Sequence, residues 1–275
     1  MMAPDYRARV EAASQYLRSQ ISEFPSTAIV LGTGLDALIS SVSVISEIPY
    51  VDIPHFPVST VQSHQGSLVY GTIESQPIIL LRGRVHLYEG YDANTVTLPV
   101  RALGLCGIKT LVLTNACGAM NPDYKSGDIV LLKDHINMMG HNPLEGPNVD
   151  DWGPRFPDMS DPYSSSLRDL VRRAANDARI PIQEGVYVSV VGPNLETRSE
   201  YIMLRLLGAD VVGMSTVPEV LAARHMGISV IAFSVVTDEC SLEDLQPISL
   251  DDVLAAAKKA SPKLISLIKG VIRLI

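Results

Sequence analysis

The chain of 275 residues has only three cysteines, one tryptophan and four phenylalanines, and its 22 Lys and Arg are outnumbered by 30 Asp and Glu. Each shortage excludes a class of protein. Cys106, Cys117 and Cys240 are odd in number and far apart, so neither a disulfide framework nor a zinc cage is expected. The net charge of -8 repels a polyanion, whose sequence-independent binding needs many cations against phosphates, and no nucleic-acid partner is expected. No apolar run reaches the length of a membrane span, and the opening residues Met1 to Arg7 lack the apolar core of a secretory signal. A soluble cytoplasmic protein with no membrane partner is the expectation. Two catalytic patterns are also missing. Gly213-Met-Ser-Thr-Val217 lacks the second glycine of a G-x-S-x-G elbow, and none of the six histidines stands in H-E-x-x-H. Neither Asp134-His135 nor His141 completes a ligand set, so no catalytic metal is expected.

What the chain does have is apolar residues, 47% of the total, and a length at which roughly three quarters of the unfolded surface can be buried. Runs rich in Val and Ile alternate with helical patterns, the signature of α/β architecture. Val10, Ala13, Leu17 and Ile21 share one face of an opening helix. Strands are expected near residues 66–72, 77–81, 110–114, 128–132, 186–191 and 228–236, with a further one over 39–48, where β-branched residues partly alternate. Helices are expected near 96–106, 165–178, 197–207 and 218–225. Ser249 can cap another, with Asp251 and Asp252 in its first turn, and Ser261-Pro262 is read as the start of one more. No repeat and no linker is evident, which implies one domain over 1–275. From Met139 to Tyr163 the chain is dense in Pro, Gly, Asn and Asp, with Trp152 and Phe156 embedded. Loops of this length are functional or disordered, and the aromatics favour a packed, functional one.

The stretch Ile29-Val-Leu-Gly-Thr-Gly-Leu-Asp-Ala-Leu38 runs from a strand into a glycine turn with G-x-G-x-x-A spacing. A dinucleotide site would need a helix next, with its N-terminus on the pyrophosphate, but the residues after Ala37 are Ser- and Val-rich. Asp52 lies downstream, at a rough distance that chance often supplies. A tight turn between core strands accounts for the pattern equally well, so an NAD-binding dehydrogenase or a non-catalytic nucleotide-binding module is a competing reading.

Five further elements carry polar chemistry. In extended chain Arg84, His86 and Tyr88 share a face and suit an anion and a hydroxyl, although a solvated edge strand would look the same. The strand over 110–114 ends in Asn115-Ala-Cys-Gly-Ala119, where small residues let the backbone approach a ring or a phosphate; Cys117 has no activating neighbour and reads as packing. Thr216 and Glu219 have capping-box spacing, with Pro218 in a first helical turn. Ser215 then lies beside a helix N-terminus, which attracts anions. Glu196 follows a Gly-Pro turn, and a buried strand delivers Asp238 to its end, where a charge is costly unless paired or used.

Together these blocks resemble the trimeric purine nucleoside phosphorylase family, which includes the methylthioadenosine phosphorylases, and they lie closer to the purine nucleoside phosphorylases. The most specific pieces are Gly83-Arg-Val-His-Leu-Tyr-Glu-Gly-Tyr91, Thr114-Asn-Ala-Cys-Gly118, Arg155-Phe-Pro-Asp-Met-Ser160 and Gly213-Met-Ser-Thr-Val-Pro-Glu219. The resemblance implies a single α/β domain with a central mixed β-sheet flanked by helices. It implies phosphate held by Thr33, His64, Arg84, His86, the Ala116 backbone and Ser215, and ribose against Tyr88 and Met214. The base would lie among Ala116, Leu195 and Val212, with Glu196 and Asp238 at its polar edge. His86, Glu196 and Asp238 would be the catalytic residues, and Phe156 would reach a neighbouring subunit in a homotrimer. The reaction implied is attack of phosphate on C1' of a purine (deoxy)ribonucleoside such as guanosine or inosine, giving free base and (deoxy)ribose 1-phosphate. No cofactor is implied, phosphate being a co-substrate.

Two positions depart from the 6-oxopurine branch, which carries Asn at the place of Asp238 and His at that of Leu250; methylthioadenosine phosphorylases resemble this chain at both. Glu196, in contrast, can accept the N1-H that guanine and hypoxanthine have and adenine lacks. If both carboxylates face one purine, their repulsion raises one pKa. The expectation is that Asp238 takes up a proton and donates to N7, with guanosine and inosine as substrates. The alternative is an ionised Asp238 accepting from a 6-amino group, with adenosine or methylthioadenosine preferred.

Overall fold

The computed structural model describes residues 6–60, 65–240 and 245–275. Its centre is one mixed sheet of nine strands: β1 (Thr27–Val30), β2 (Ser43–Pro49), β3 (Ser67–Ile73), β4 (Gln76–Arg82), β5 (Thr110–Ala119), β6 (Ile129–Asn137), β7 (Gln183–Ser189), β8 (Val211–Gly213) and β9 (Ser229–Glu239). The strand order is β2-β3-β4-β1-β5-β8-β7-β6-β9. Because β9 pairs with β5 as well as β6, the last five strands close on themselves. β1 is parallel to β4 and β5, and β5 to β9, so four strands present their C-terminal ends together. That end of an open parallel sheet is where ligands bind.

Side-chain alternation explains why helices cover both faces. Ala28 and Val30 of β1 join one core with α1 (Tyr6–Gln20), α2 (Ala93–Cys106) and α5 (Val217–His225). Ile29 and Leu31 join the other, with α3 (Ser165–Ala178) and α6 (Leu250–Ile272). A strand buried on both faces reads as a nearly continuous apolar run, as Ala28, Ile29 and Val30 of the fully buried β1 do. The helix α4 (Arg198–Leu206) buries Tyr201 and Leu204 in a smaller cluster with Val188, Val212 and Cys240. Among the described residues no helix is long and apolar enough to cross a membrane.

Two expectations need correction. The first residues of the run expected as a strand over 39–48 belong to a 3-10 turn, Asp36–Ser41, which buries Leu38 in the core, and the edge strand β2 begins only at Ser43. The helix expected to begin at Ser261-Pro262 is the second half of α6, which runs unbroken through Pro262. Proline inside a helix costs about 3 kcal/mol, but Ala257, Ala260, Leu264, Leu267, Ile268 and Val271 form one continuous buried face. Burial of such side chains contributes about 1.5 to 3 kcal/mol for each large one, enough to offset the proline. The capping box at Ser249 and Asp252 is present as expected, Ser249 Oγ accepting from Asp252 N at 3.2 Å.

Candidate active site

A cleft opens at the C-terminal ends of the parallel strands. Its lining includes Thr33, Arg84, His86, Tyr88, Ala116, Leu195, Glu196, Val212, Met214, Ser215 and Asp238. Every expected ligand-binding residue is there except His64, which lies outside the described residues. Phe156 does not line it; its ring is 87% exposed, with the Arg155 guanidinium 5.3 Å from its centre.

The glycine turn supplies Thr33. Its glycines make room for protein rather than for phosphate: a Cβ on Gly32 would lie 2.6 Å from Thr114 O of β5, and one on Gly34, at φ +74°, 2.8 Å from Ala257 Cβ of α6. The turn is thereby wedged between strand and helix, and Gly32 N-H donates to Thr114 Oγ1 at 3.0 Å. Only the short 3-10 turn follows, so no helix N-terminus faces the turn as a dinucleotide site requires.

The row Arg84, His86, Tyr88 is not an extended strand. β4 ends at Arg82, and residues 87–89 make a 3-10 turn. All three side chains nevertheless line the cleft, with the His86 and Tyr88 rings stacked at 4.6 Å. Arg84 is 7% exposed; its Nε donates to Glu219 Oε1 at 3.2 Å and its Nη1 to Thr114 O at 2.7 Å. His86 Nδ1 lies 2.9 Å from Glu89 Oε1. Burial pushes the Glu89 carboxyl up, but hydrogen bonds from His86 and Thr60 outweigh it and hold it down at about 2. Glu89 is therefore an anion at neutral pH and fixes the His86 tautomer with its proton on Nδ1.

Met214 and Ser215 connect β8 to α5. The expected capping box of Thr216 and Glu219 does not form. Thr216 has φ +70° and makes no cap bond; its hydroxyl accepts from Asn115 Nδ2 at 2.9 Å, and Glu219 is drawn to Arg84.

Two carboxylates reach the cleft from separate elements, Glu196 from the loop before α4 and Asp238 from the end of β9. Glu196 precedes α4, and burial pushes its carboxyl above the ordinary range, with the Asp238 charge adding to the shift and the Tyr201 hydroxyl opposing it. Asp238 owes its direction to a β-bulge: Cys117 pairs with Val236 and Gly118 with Asp238, so Thr237 is the extra residue on β9. Gly118 leaves space for the turned side chain, since a Cβ there would lie 2.9 Å from Asp238 Oδ2. Both Asp238 oxygens accept hydrogen bonds, from Thr237 Oγ1 at 2.9 Å and Cys240 Sγ at 3.4 Å. Cys117 is buried, its thiol pushed well up by that burial, and packs as expected.

Residues 26–273 match the family described as the phosphorylase superfamily. The chain is 43% identical over 267 residues to purine nucleoside phosphorylase 1 of Geobacillus stearothermophilus, covering 97% of each. The chain belongs to the purine nucleoside phosphorylase family. Against the Rattus norvegicus purine nucleoside phosphorylase the identity is also 43%, over 92% of this chain and 90% of that one. Among solved structures, the phosphorylase superposes on Schistosoma mansoni purine nucleoside phosphorylase in complex with adenosine with a TM-score of 0.90, at 39% identity and 96% coverage of both chains. The phosphorylase is thus a pentosyltransferase that cleaves the N-glycosidic bond of purine nucleosides with phosphate, and the dehydrogenase reading falls.

Sequence reasoning missed that Glu89 and Glu219 hold the cleft-lining side chains of His86 and Arg84. Glu89 lies three residues from His86 inside the most specific motif, a signal that was legible. Glu219 had none, being 135 positions from Arg84.

Proposed function

We propose that phosphate lies against Thr33, Arg84, His86, the Ala116 backbone and Ser215, ribose against Tyr88 and Met214, and the purine among Ala116, Leu195 and Val212. The observation that carries this reading is Arg84 Nη2, which is buried without a protein partner while the rest of the guanidinium is bonded. A buried cationic donor left unpaired is costly, and an anion in the cleft satisfies it. Phosphate oxygen attacks C1', the C1'-N9 bond breaks, and its electron pair leaves on the purine, which takes up at N7, by way of solvent, the proton that hydrogen phosphate gives up. The protein's share is to place phosphate beneath the sugar and to hydrogen-bond the leaving base.

We infer that Glu196 carries the exchangeable proton of the site. Asp238 already accepts on both oxygens, which suits it to accept again, from a 6-amino group or from N7-H. Glu196 is the member whose carboxyl is raised. Ionised, it accepts N1-H of inosine or guanosine; protonated, it donates to N1 of adenosine. The substrates are accordingly 6-oxopurine nucleosides, with adenosine accepted to an extent set by pH. Protonation of Glu196 increases as pH falls from neutral through its raised pKa, so the ratio of adenosine to inosine kcat/KM rises with acidity. Measurement of both substrates from pH 8 to pH 5 checks this, and a ratio that is flat or falls on acidification sinks it.

The same reading gives a cytoplasmic enzyme with no cofactor besides co-substrate phosphate, and a homotrimer in which Phe156 meets a neighbour's cleft.

A further inference from the structure

Two anchors hold the Arg84 guanidinium. Thr114 O takes Nη1 and Glu219 takes Nε, leaving Nη2 as the buried corner without a partner. A planar group tethered at one corner can swing about it, whereas a second tether on another nitrogen fixes the plane. Glu219 supplies that second tether from a different element, the first turn of α5, and both side chains are 5% exposed.

The local chemistry of α5 makes this use of Glu219 conspicuous. Its position, three residues after Thr216, is the one from which a glutamate ordinarily reaches back to cap the helix start. Here Thr216 makes no cap bond, and the carboxylate crosses to the end of β4 instead. The same short stretch carries Ser215 into the cleft. The Arg84–Glu219 pair therefore ties the arginine side of the cleft to the serine side, and keeps the arginine from being an unpaired buried cation when no anion is bound.

We propose that Glu219 is a positioning residue for the phosphate co-substrate, acting through Arg84 by fixing the guanidinium plane so that Nη2 faces the anion. The proposal rests on the reading of Arg84 as a phosphate ligand. Glu219 needs no contact with substrate, and its carboxylate charge is dispensable provided an acceptor remains at the same reach.

Steady-state phosphorolysis of inosine at varied phosphate and varied inosine separates these elements. Glu219→Asp shortens the reach by one methylene and is expected to raise the phosphate KM about tenfold or more, with the inosine KM within about threefold of the parent. Glu219→Gln keeps an acceptor oxygen at the original reach and is expected to restore the phosphate KM to near the parental value. In an Arg84→Ala background Glu219→Asp is expected to add nothing. If the Asp variant does not fold, Glu219→Met, close in volume and without an acceptor, reads the same quantity. A purely structural role would lower the melting temperature and shift both KM values together or neither. An unchanged phosphate KM in Glu219→Asp, equal effects of Asp and Gln, or additivity on Arg84→Ala would overturn the positioning role. If Arg84→Ala itself leaves the phosphate KM unchanged, the assignment of Arg84 fails and the inference with it; if Arg84→Ala raises it while Glu219→Asp does not, only the inference fails.

Discussion

Thr237 and Cys240 each donate to one oxygen of Asp238, which in the proposed reading limits what that carboxylate can offer a purine. Replacing that carboxylate by an amide adds a donor at the same place. Asp238→Asn should therefore raise inosine kcat/KM relative to adenosine kcat/KM by about tenfold, because a polar mismatch of this kind costs roughly 1 to 3 kcal/mol. Parallel rate measurements on the two nucleosides check it, and a ratio moving toward adenosine would mean that Asp238 does not face the base edge. At this scale the sequence was informative where a residue's place in the cleft follows from its own motif. Arg84, His86, Tyr88, Glu196, Ser215 and Asp238 all line the cleft as expected. It was uninformative where a role depends on a distant partner. Glu219 looked like a helix cap because Thr216 is its sequence neighbour, and the competing pull of Arg84 comes only with the fold. The burial that raises Glu196 and the donors from Thr237 and Cys240 to Asp238, on which the proposed place of the proton rests, are likewise three-dimensional facts.

Among the elements, the long loop over 139–163 is held to the body of the protein by a buried polar chain. Arg101 of α2 donates to His225 Nδ1 at 2.7 Å, and His225 Nε2 lies 3.0 Å from Asn148 Oδ1. Asn148 Nδ2 donates in turn to Gly153 O at 2.9 Å, and the Arg101 guanidinium lies 5.2 Å from the centre of the Trp152 ring. Because Arg101 can only donate, His225 must be neutral with its proton on Nε2. Burial, with the Arg101 charge, lowers the His225 pKa to about 4. A histidine depressed in this way contributes stability that is fully present above its unfolded pKa of about 6.5 and is lost as pH falls from there through about 4. His225→Gln has nothing to titrate, so its melting temperature should fall less than the parent's between pH 7 and pH 4. Thermal melts of both proteins test this, and parallel slopes would show that His225 carries no such linkage. The packed character of the loop was legible from Trp152, which is buried, but not from Phe156, which is exposed; most strands and helices were legible from their apolar period. α6 was misread because a local proline rule was weighed without the buried face that overrides it, and the 39–48 run because β-branched residues suit a strand whether or not the chain must first turn Leu38 inward.

For the whole molecule, the sheet brings residues from β1, β4, β5, β8 and β9 and their following loops to one end, while Phe156 is left 87% exposed on the outside. An aromatic in that position has more to gain from a neighbouring copy than from water. Phe156→Ala should leave the monomer fold intact and raise the nucleoside KM more than the phosphate KM, since the ring would cover the nucleoside end of a neighbour's cleft. Circular dichroism, sedimentation and the two KM values together check it; a single-chain mass for the parent protein would contradict the homotrimer. The α/β class was readable from the alternation of strand and helix patterns, but the closure of five strands through β9 was not, because pairing of β9 with both β5 and β6 leaves no mark in either strand's own sequence. In the proposed reading this cleft transfers a pentosyl group to phosphate held by Arg84. The most direct measurement is release of hypoxanthine from inosine with and without inorganic phosphate. Release is expected only when phosphate is present, with ribose 1-phosphate formed in equal amount; base released at the same rate without phosphate, with free ribose as the product, would contradict phosphorolysis.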